Sequence, residues 1–301
     1  MSFNVLKELS KQLKECQSPS LHLVNIKDME YSALQIELGK ELADFIKELS
    51  NNLAKDIEHF QDIIEYDGSA NSSFVYKITS ENPIFSDIKE KLKKLKRELS
   101  ICNVESDPFH YKNAYILQCS INFEKEKKSV LLISMQNPIT TLKHKFFYTD
   151  NTFKKITGNI LNLRPKIDVI TIGESVYFLN LSGEKLFNLE SAYKNNATKR
   201  VNEIQDADII SNFEIFKSVA TKGFNPKRFL AYNENNVSAL KNKSKRKQLA
   251  NKFSIPLDSS GKFDIKSDKE AEKVIKLICD KGMLEPFNEN PVEVDGIRTW
   301  K

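Results

Sequence analysis

The chain has 301 residues, enough for one large or two medium domains, and its 40% hydrophobic and 29% charged residues describe a folded protein rather than a disordered one. A formal net charge of +5 is mildly basic, so affinity for a polyanion has to come from local clustering of cations. The cysteines Cys16, Cys102, Cys119 and Cys279 form no C-x-x-C pair, and no histidine stands at zinc-ligand spacing, which argues against a disulfide framework or a zinc module.

Phe3, Leu6, Leu9 and Leu13 recur at helical spacing up to Ser18-Pro19, and a short strand is predicted over 21–26. The first residues are amphipathic, and no run reaches ~18 uncharged apolar residues, so the expected location is the cytoplasm. From Tyr31, the stripe Leu34, Leu38, Leu42, Phe45, Ile46 and Leu49 predicts a second helix ending at Asn51-Asn52. Segments 57–66 and 74–78 read as strands around a polar loop. A helix then runs from near Pro83 to Leu99, with Ile84, Ile88, Leu92, Leu95 and Leu99 inside. Lys89, Lys91, Lys93, Lys94, Lys96 and Arg97 surround that stripe. Polar, aperiodic residues 103–108 mark a boundary between an N-terminal α/β domain, 1–107, and a C-terminal α/β domain, 108–301, each with its own mixed sheet.

Residues 114–123 and 129–135 read as a strand pair joined by a charged turn at 124–128, followed by short strands or turns up to 163. The densest run of β-formers spans 166–187. There Val169, Ile170 and Ile172 lead into a turn at Gly173-Glu174-Ser175, and Val176, Tyr177, Phe178, Leu179 and Leu181 return from it. Beyond Phe187 the pattern becomes helical, over 189–204 and 209–222, with Gly223 as a cap and a further short helix from Asn225-Pro226. Ser267 and Glu270 form a capping box before a helix carrying Ala271, Val274, Ile275 and Ile278, which Gly282 ends. The expected class is α/β (α+β), with mixed β-sheets flanked by helices and a helix-rich C-terminal part.

Metal-dependent nuclease chemistry needs carboxylates on adjacent strands. Asp107, Glu126 and Lys128 follow that order, but Glu126 and Lys128 fall in the predicted turn, and Asp168 with Glu174 is no better. Ser182-Gly183 and Cys279 lack the surroundings of a nucleophile, and there is no phosphate-cradling glycine loop, so neither catalysis nor a cofactor is expected. The segment 240–252 is different, because Lys241, Lys243, Lys245, Arg246, Lys247 and Lys252 crowd there without an acidic neighbour. Such cations gain affinity by displacing counterions from phosphates. No aromatic residue interleaves Lys241 to Lys252, which favours backbone contact with duplex DNA over stacking on a single strand. A solvated helix is the plain alternative, and the helix with Lys89 to Arg97 is the rival basic face.

From Ala114 to Trp300 the chain resembles the KwaB family of the Kiwa anti-phage defence system. The resemblance lies in Ile167-Asp-Val-Ile170 followed by Val176-Tyr-Phe-Leu179, Phe187 after the Gly183 turn, the helix with Phe213-Glu214, and Lys245-Arg-Lys247 before the Phe263 strand. It implies a cytoplasmic DNA-binding effector, at least a homodimer, that associates with a multi-spanning membrane partner, KwaA; the leading reading is largely sequence-independent DNA binding that blocks phage replication or transcription rather than cutting. No active-site residue comes with it, so the proposed DNA contacts rest on charge alone. A divalent-metal nuclease and a non-catalytic protein scaffold remain the alternatives.

Overall fold

The computed structural model describes residues 3–28, 30–101, 108–123, 126–136, 139–141, 146–149, 151–155, 159–284 and 291–293. The chain divides into two compact units, one comprising 1–65, 72–81 and 85–188, the other 66–71, 82–84 and 189–301.

The first unit is built on α1 (Asn4–Gln12), β1 (Gln17–Lys27), β2 (Glu30–Ile36), α2 (Glu41–His59), β3 (Asp62–Glu65), β4 (Phe74–Ile78) and α3 (Phe85–Ile101). It continues through β5 (Ala114–Phe123), β6 (Glu126–Ser134), β7 (Ile139–Thr141), β8 (Phe146–Thr149), β9 (Thr152–Lys155), β10 (Asn159–Leu161), β11 (Val169–Ile172), β12 (Ser175–Phe178) and the single turn α4 (Glu184–Phe187). Eight strands form one sheet in the order β2-β1-β5-β6-β11-β12-β4-β3, antiparallel throughout except for the parallel pair β3 and β4. The predicted hairpin is present: Ile172 pairs with Ser175 across Gly173 and Glu174, and Gly173 takes φ +58°, a conformation glycine adopts without strain.

Helices α1 and α2 cover one face, where Leu6, Leu9, Leu49 and Leu53 meet Leu23, Leu117, Leu132 and Ile170. On the other face Gly183 lies against Val169 and Phe178, and the Phe178 and Phe187 rings meet edge to face at 5.8 Å. Because both faces are covered, all four residues of β11 are buried, Thr171 included, and the strand reads as an unbroken β-branched run rather than an alternation.

Two local expectations fail here for identifiable reasons. Residues 30–36 form a strand, not the start of a helix. Tyr31 and Ala33 are buried between exposed Glu30 and Ser32, a period of two that the i, i+4 spacing of Leu34, Leu38 and Leu42 obscured. The helix α2 also runs past Asn51-Asn52, because Leu53 and Ile57 continue its buried stripe and the Asn52 amide donates to the Pro165 carbonyl at 2.9 Å.

The second unit contains α5 (Glu190–Asp206), β13 (Ile210–Ser211), α6 (Phe213–Ala220), α7 (Asn225–Arg228), α8 (Glu234–Lys241), α9 (Lys243–Lys252), β14 (Phe263–Asp264), α10 (Asp268–Ile278), β15 (Gly282–Leu284) and β16 (Pro291–Glu293). Its core joins Val201, Ile204, Phe216, Phe229, Phe263, Val274 and Ile278. Among the described residues its strands form only the pairs β13–β14 and β15–β16, so the C-terminal part is helix-rich as expected. The N-terminal segment 66–71 belongs to this unit: Lys281, buried, donates to Asp67 at 2.6 Å and to Ser69 at 2.9 Å.

A boundary at 107 therefore does not separate the two compact units. Strands from either side of that position pair directly, β1 with β5 and β12 with β4, and one sheet stands where two were expected. Polarity without apolar periodicity is therefore not enough to mark a domain boundary, because strands on either side of it pair in one sheet.

Candidate nucleic-acid interface

Helices α8 and α9 are joined by one residue, Asn242, whose side-chain oxygen accepts from the N–H groups of Ser244 at 2.9 Å and Lys245 at 3.1 Å. That cap turns the segment 240–252 into two helices and starts the second among the lysines. At 100° per residue, Arg246 and Ala250 lie on the inner face of α9, with Lys243 and Lys247 on one flank and Lys245 and Lys252 on the other.

Lys241, Lys243, Lys245 and Lys247 are exposed, and among the described residues no acidic side chain pairs with them. Lys252 is exposed too but already engages a neighbour. Arg246 is the exception in the predicted set. It is only 3% exposed, its Nε donates to the Gly261 carbonyl and its Nη1 to the Leu240 carbonyl, each at 2.6 Å. Leu240 lies in the last turn of α8, where carbonyls lack intrahelical partners, so the guanidinium fixes the α8–α9 corner to the loop before β14. Arg246 is a structural cation and is removed from the set that can meet phosphates.

The rival face on α3 is more nearly neutralised. Lys89 pairs with Glu174 at 2.7 Å, Lys94 with Glu90 at 3.0 Å and Arg97 with Glu98 at 3.1 Å. The hydrogen bond and charge of Lys89 hold the Glu174 carboxyl below its ordinary pKa. Lys91 donates to the carbonyls of Phe187 and Asn188, the last of these at 2.9 Å, and burial lowers its pKa. Lys93 and Lys96 remain exposed.

The carboxylates weighed for metal binding are dispersed. Asp107 lies outside the described residues. Glu126 and Lys128 belong to β6 rather than to a turn, opposite Phe123 and Ile121, and Lys128 Nζ stands 5.0 Å from the centre of the Phe123 ring. Asp168 is 2% exposed; its Oδ2 accepts from Met135 N–H at 2.7 Å, and Lys166 Nζ is 3.2 Å from its Oδ1, so it ties β6 to the start of β11. Among the described residues no group of three or more His, Cys, Asp or Glu is placed to hold a metal ion.

Sequence reading missed the aromatic neighbour of the lysines. Phe253, just past the end of α9, lines the same cavity as Lys245 and Leu249. Its signal was its place on the Arg246, Ala250, Phe253 stripe.

A family model described as Kiwa protein KwaB-like matches residues 111–284, more than half of the chain. The chain belongs to the KwaB-like family. Membership connects it to Kiwa, an anti-phage defence system. No curated protein and no solved structure matches the chain. The KwaB-like stretch runs from just before β5 to the end of β15 and includes α8 and α9, whereas α3 lies outside it.

Proposed function

We propose that this KwaB-like protein binds duplex DNA through its phosphate backbone, with little regard to sequence, and in Kiwa defence blocks phage DNA replication or transcription without cutting it. The observation that carries the reading is the group of exposed lysines, Lys241, Lys243, Lys245 and Lys247, left without acidic partners among the described residues at one helical corner. Cations so placed keep their full attraction for phosphates, whereas those on α3 are largely occupied by carboxylates and carbonyls. The same reading includes a homodimer and a KwaA-like membrane partner that recruits the protein from the cytoplasm; both come from the family resemblance. Among the described residues no helix is long and apolar enough to cross a membrane.

Titration of labelled duplexes of unrelated sequence at several salt concentrations tests the reading. Expected are similar affinities for all of them and a log–log salt slope of roughly −0.9 per phosphate contact. Lys241→Glu, Lys243→Glu and Lys247→Glu together should weaken every duplex alike and flatten the slope, since phosphate contacts position a protein without reading bases. Unchanged affinity and slope in that variant overturns the choice of face, and loss of binding on Lys93→Glu with Lys96→Glu would move it to α3. Glu126→Ala should leave protection intact; a folded Glu126→Ala protein that binds DNA yet no longer protects would restore metal-dependent cleavage. Light scattering and co-purification with a KwaA-like protein test the two assembly claims.

A further inference from the structure

A cavity of about 390 Å³ opens beside the lysine cluster, between α8, α9 and the chain leaving α10. That size lies within the range of sites that enclose a small ligand, which typically combine apolar walls with a few orienting polar groups. Ala239, Leu249 and Phe253 supply apolar wall, and Lys245, Asn236 and Asp280 supply the polar groups. Asp280 takes φ +53°, and its carboxylate is held in place: Oδ1 accepts from the Asn236 amide at 2.6 Å and Oδ2 from the Asn233 amide at 2.9 Å. Each oxygen keeps a further lone pair for an incoming donor. The cavity thus combines an exposed cation, a wall with one aromatic ring, and an oriented carboxylate.

Those features complement a nucleotide, which carries a phosphate, a planar base and, in adenine, cytosine and guanine, an exocyclic amino group. We propose that the cavity receives an unpaired nucleotide of the DNA held by the neighbouring lysines, with its phosphate at Lys245, its base against Leu249 and Phe253, and its amino group toward Asp280. The inference rests on the DNA-binding reading and narrows it: the favoured substrate is duplex DNA carrying unpaired nucleotides, as at overhangs or bulges. A base inside a duplex has both its faces and its amino edge occupied, so blunt duplex engages the lysines alone. Thymine, which lacks the amino group, fits least well.

The test compares the wild-type protein with Ala239→Tyr. Ala239 is exposed on α8 and lines the cavity, so a larger side chain there fills the space while leaving the lysines in place. Three probes are used: a blunt duplex, the same duplex with a single-stranded overhang of A and C, and free dAMP, dCMP and dTMP. Wild type should bind the overhang duplex about tenfold more tightly than the blunt one, the scale of one stacked base. Ala239→Tyr should bind both duplexes with the wild-type blunt affinity, and dAMP and dCMP should saturate wild type at lower concentration than dTMP. Equal binding of the two duplexes by wild type, or a preference that survives Ala239→Tyr, overturns the cavity assignment and leaves the duplex reading standing. If wild type binds neither duplex, the lysine surface fails, and the free nucleotides decide the cavity separately. Saturable dAMP binding lost in Ala239→Tyr then supports a mononucleotide site, and its absence overturns the cavity assignment as well.

Discussion

Arg246 and its lysine neighbours differ by one position on a helix, and that position decides whether a cation is a surface group or a structural one. Arg246→Met should cost about 3 kcal/mol, because the buried Leu240 carbonyl and the half-buried Gly261 carbonyl both lose a charged donor. Lys245→Glu with Lys247→Glu should change stability by no more than about 0.5 kcal/mol, since exposed charges contribute little. Urea denaturation of the two variants separates the roles, and equal losses would contradict them. The run Lys-Ser-Lys-Arg-Lys looks uniform in composition; only the i, i+4 and i+7 relation of Arg246 to Ala250 and Phe253 marked the buried member. A second residue with a measurable consequence is His22 in β1, 2% exposed, whose Nε2 lies 3.0 Å from Ser20 Oγ while Nδ1 has no partner among the described residues. Burial lowers its pKa from 6.5 to about 4. The unfolded chain therefore binds a proton that the folded one refuses. The contribution is fully present above pH 6.5 and is lost as pH falls toward 4, by about 3 kcal/mol in all. The stability difference between wild type and His22→Leu should vary with pH across that window; a constant difference would show that His22 does not titrate there.

At the scale of elements, whatever announced itself by a strong period or by turn chemistry was legible. The central hairpin, the strands β4 and β5, the helix α3, and the Ser267 cap of α10 all follow that rule. In the last case Ser267 Oγ accepts from Glu270 N–H at 3.4 Å, while Glu270 reaches back to the N–H of Lys266 at 2.7 Å. What failed was arbitration between periods within a few residues, as at β2. The segment after the hairpin is instructive for another reason. The sequence predicts a returning strand through Leu181 and a turn at Gly183, but β12 ends at Phe178 and the chain folds back over the sheet. Gly183 permits that approach: a Cβ there would stand 2.1 Å from Val169 Cγ2 and 3.1 Å from a Phe178 ring carbon. Gly183→Ala should therefore destabilise by about 1–3 kcal/mol, the usual cost of overpacking a rigid core. Gly173→Ala, with no neighbour within 4 Å, meets only the backbone penalty of a positive φ. Thermal melts in which Gly183→Ala matches wild type would mean that the backbone there yields more than its packing implies.

At the scale of the whole chain, the KwaB-like stretch and the compact units do not coincide. Residues 111–284 contain β5, β6, β11 and β12, but β1 and β2 flank β5 from outside that stretch, and β4 with β3 flanks β12. They also omit α1 and α2, whose leucines cover one face of the sheet, together with Asp67 and Ser69, the partners of buried Lys281. None of these dependencies is written in local periodicity, because strand order and distant ion pairs are properties of the folded chain. A fragment of residues 111–284 would expose the edges of β5 and β12, leave Leu117, Leu132 and Ile170 facing water, and strand the Lys281 ammonium in a buried site. Breaking a buried pair by removing one partner alone costs about 3–5 kcal/mol, a large share of the stability of an ordinary domain. The fragment should accordingly aggregate or unfold without a cooperative transition, whereas the full chain unfolds cooperatively. Asp67→Ala in the full chain isolates the ion-pair part of this expectation and should lower the urea midpoint while leaving the sheet intact by circular dichroism. A soluble fragment of 111–284 that melts cooperatively would mean that β5, β6, β11 and β12 form a stable sheet without the four N-terminal strands, and that the contacts of Lys281 with Asp67 and Ser69 are dispensable to the helical unit.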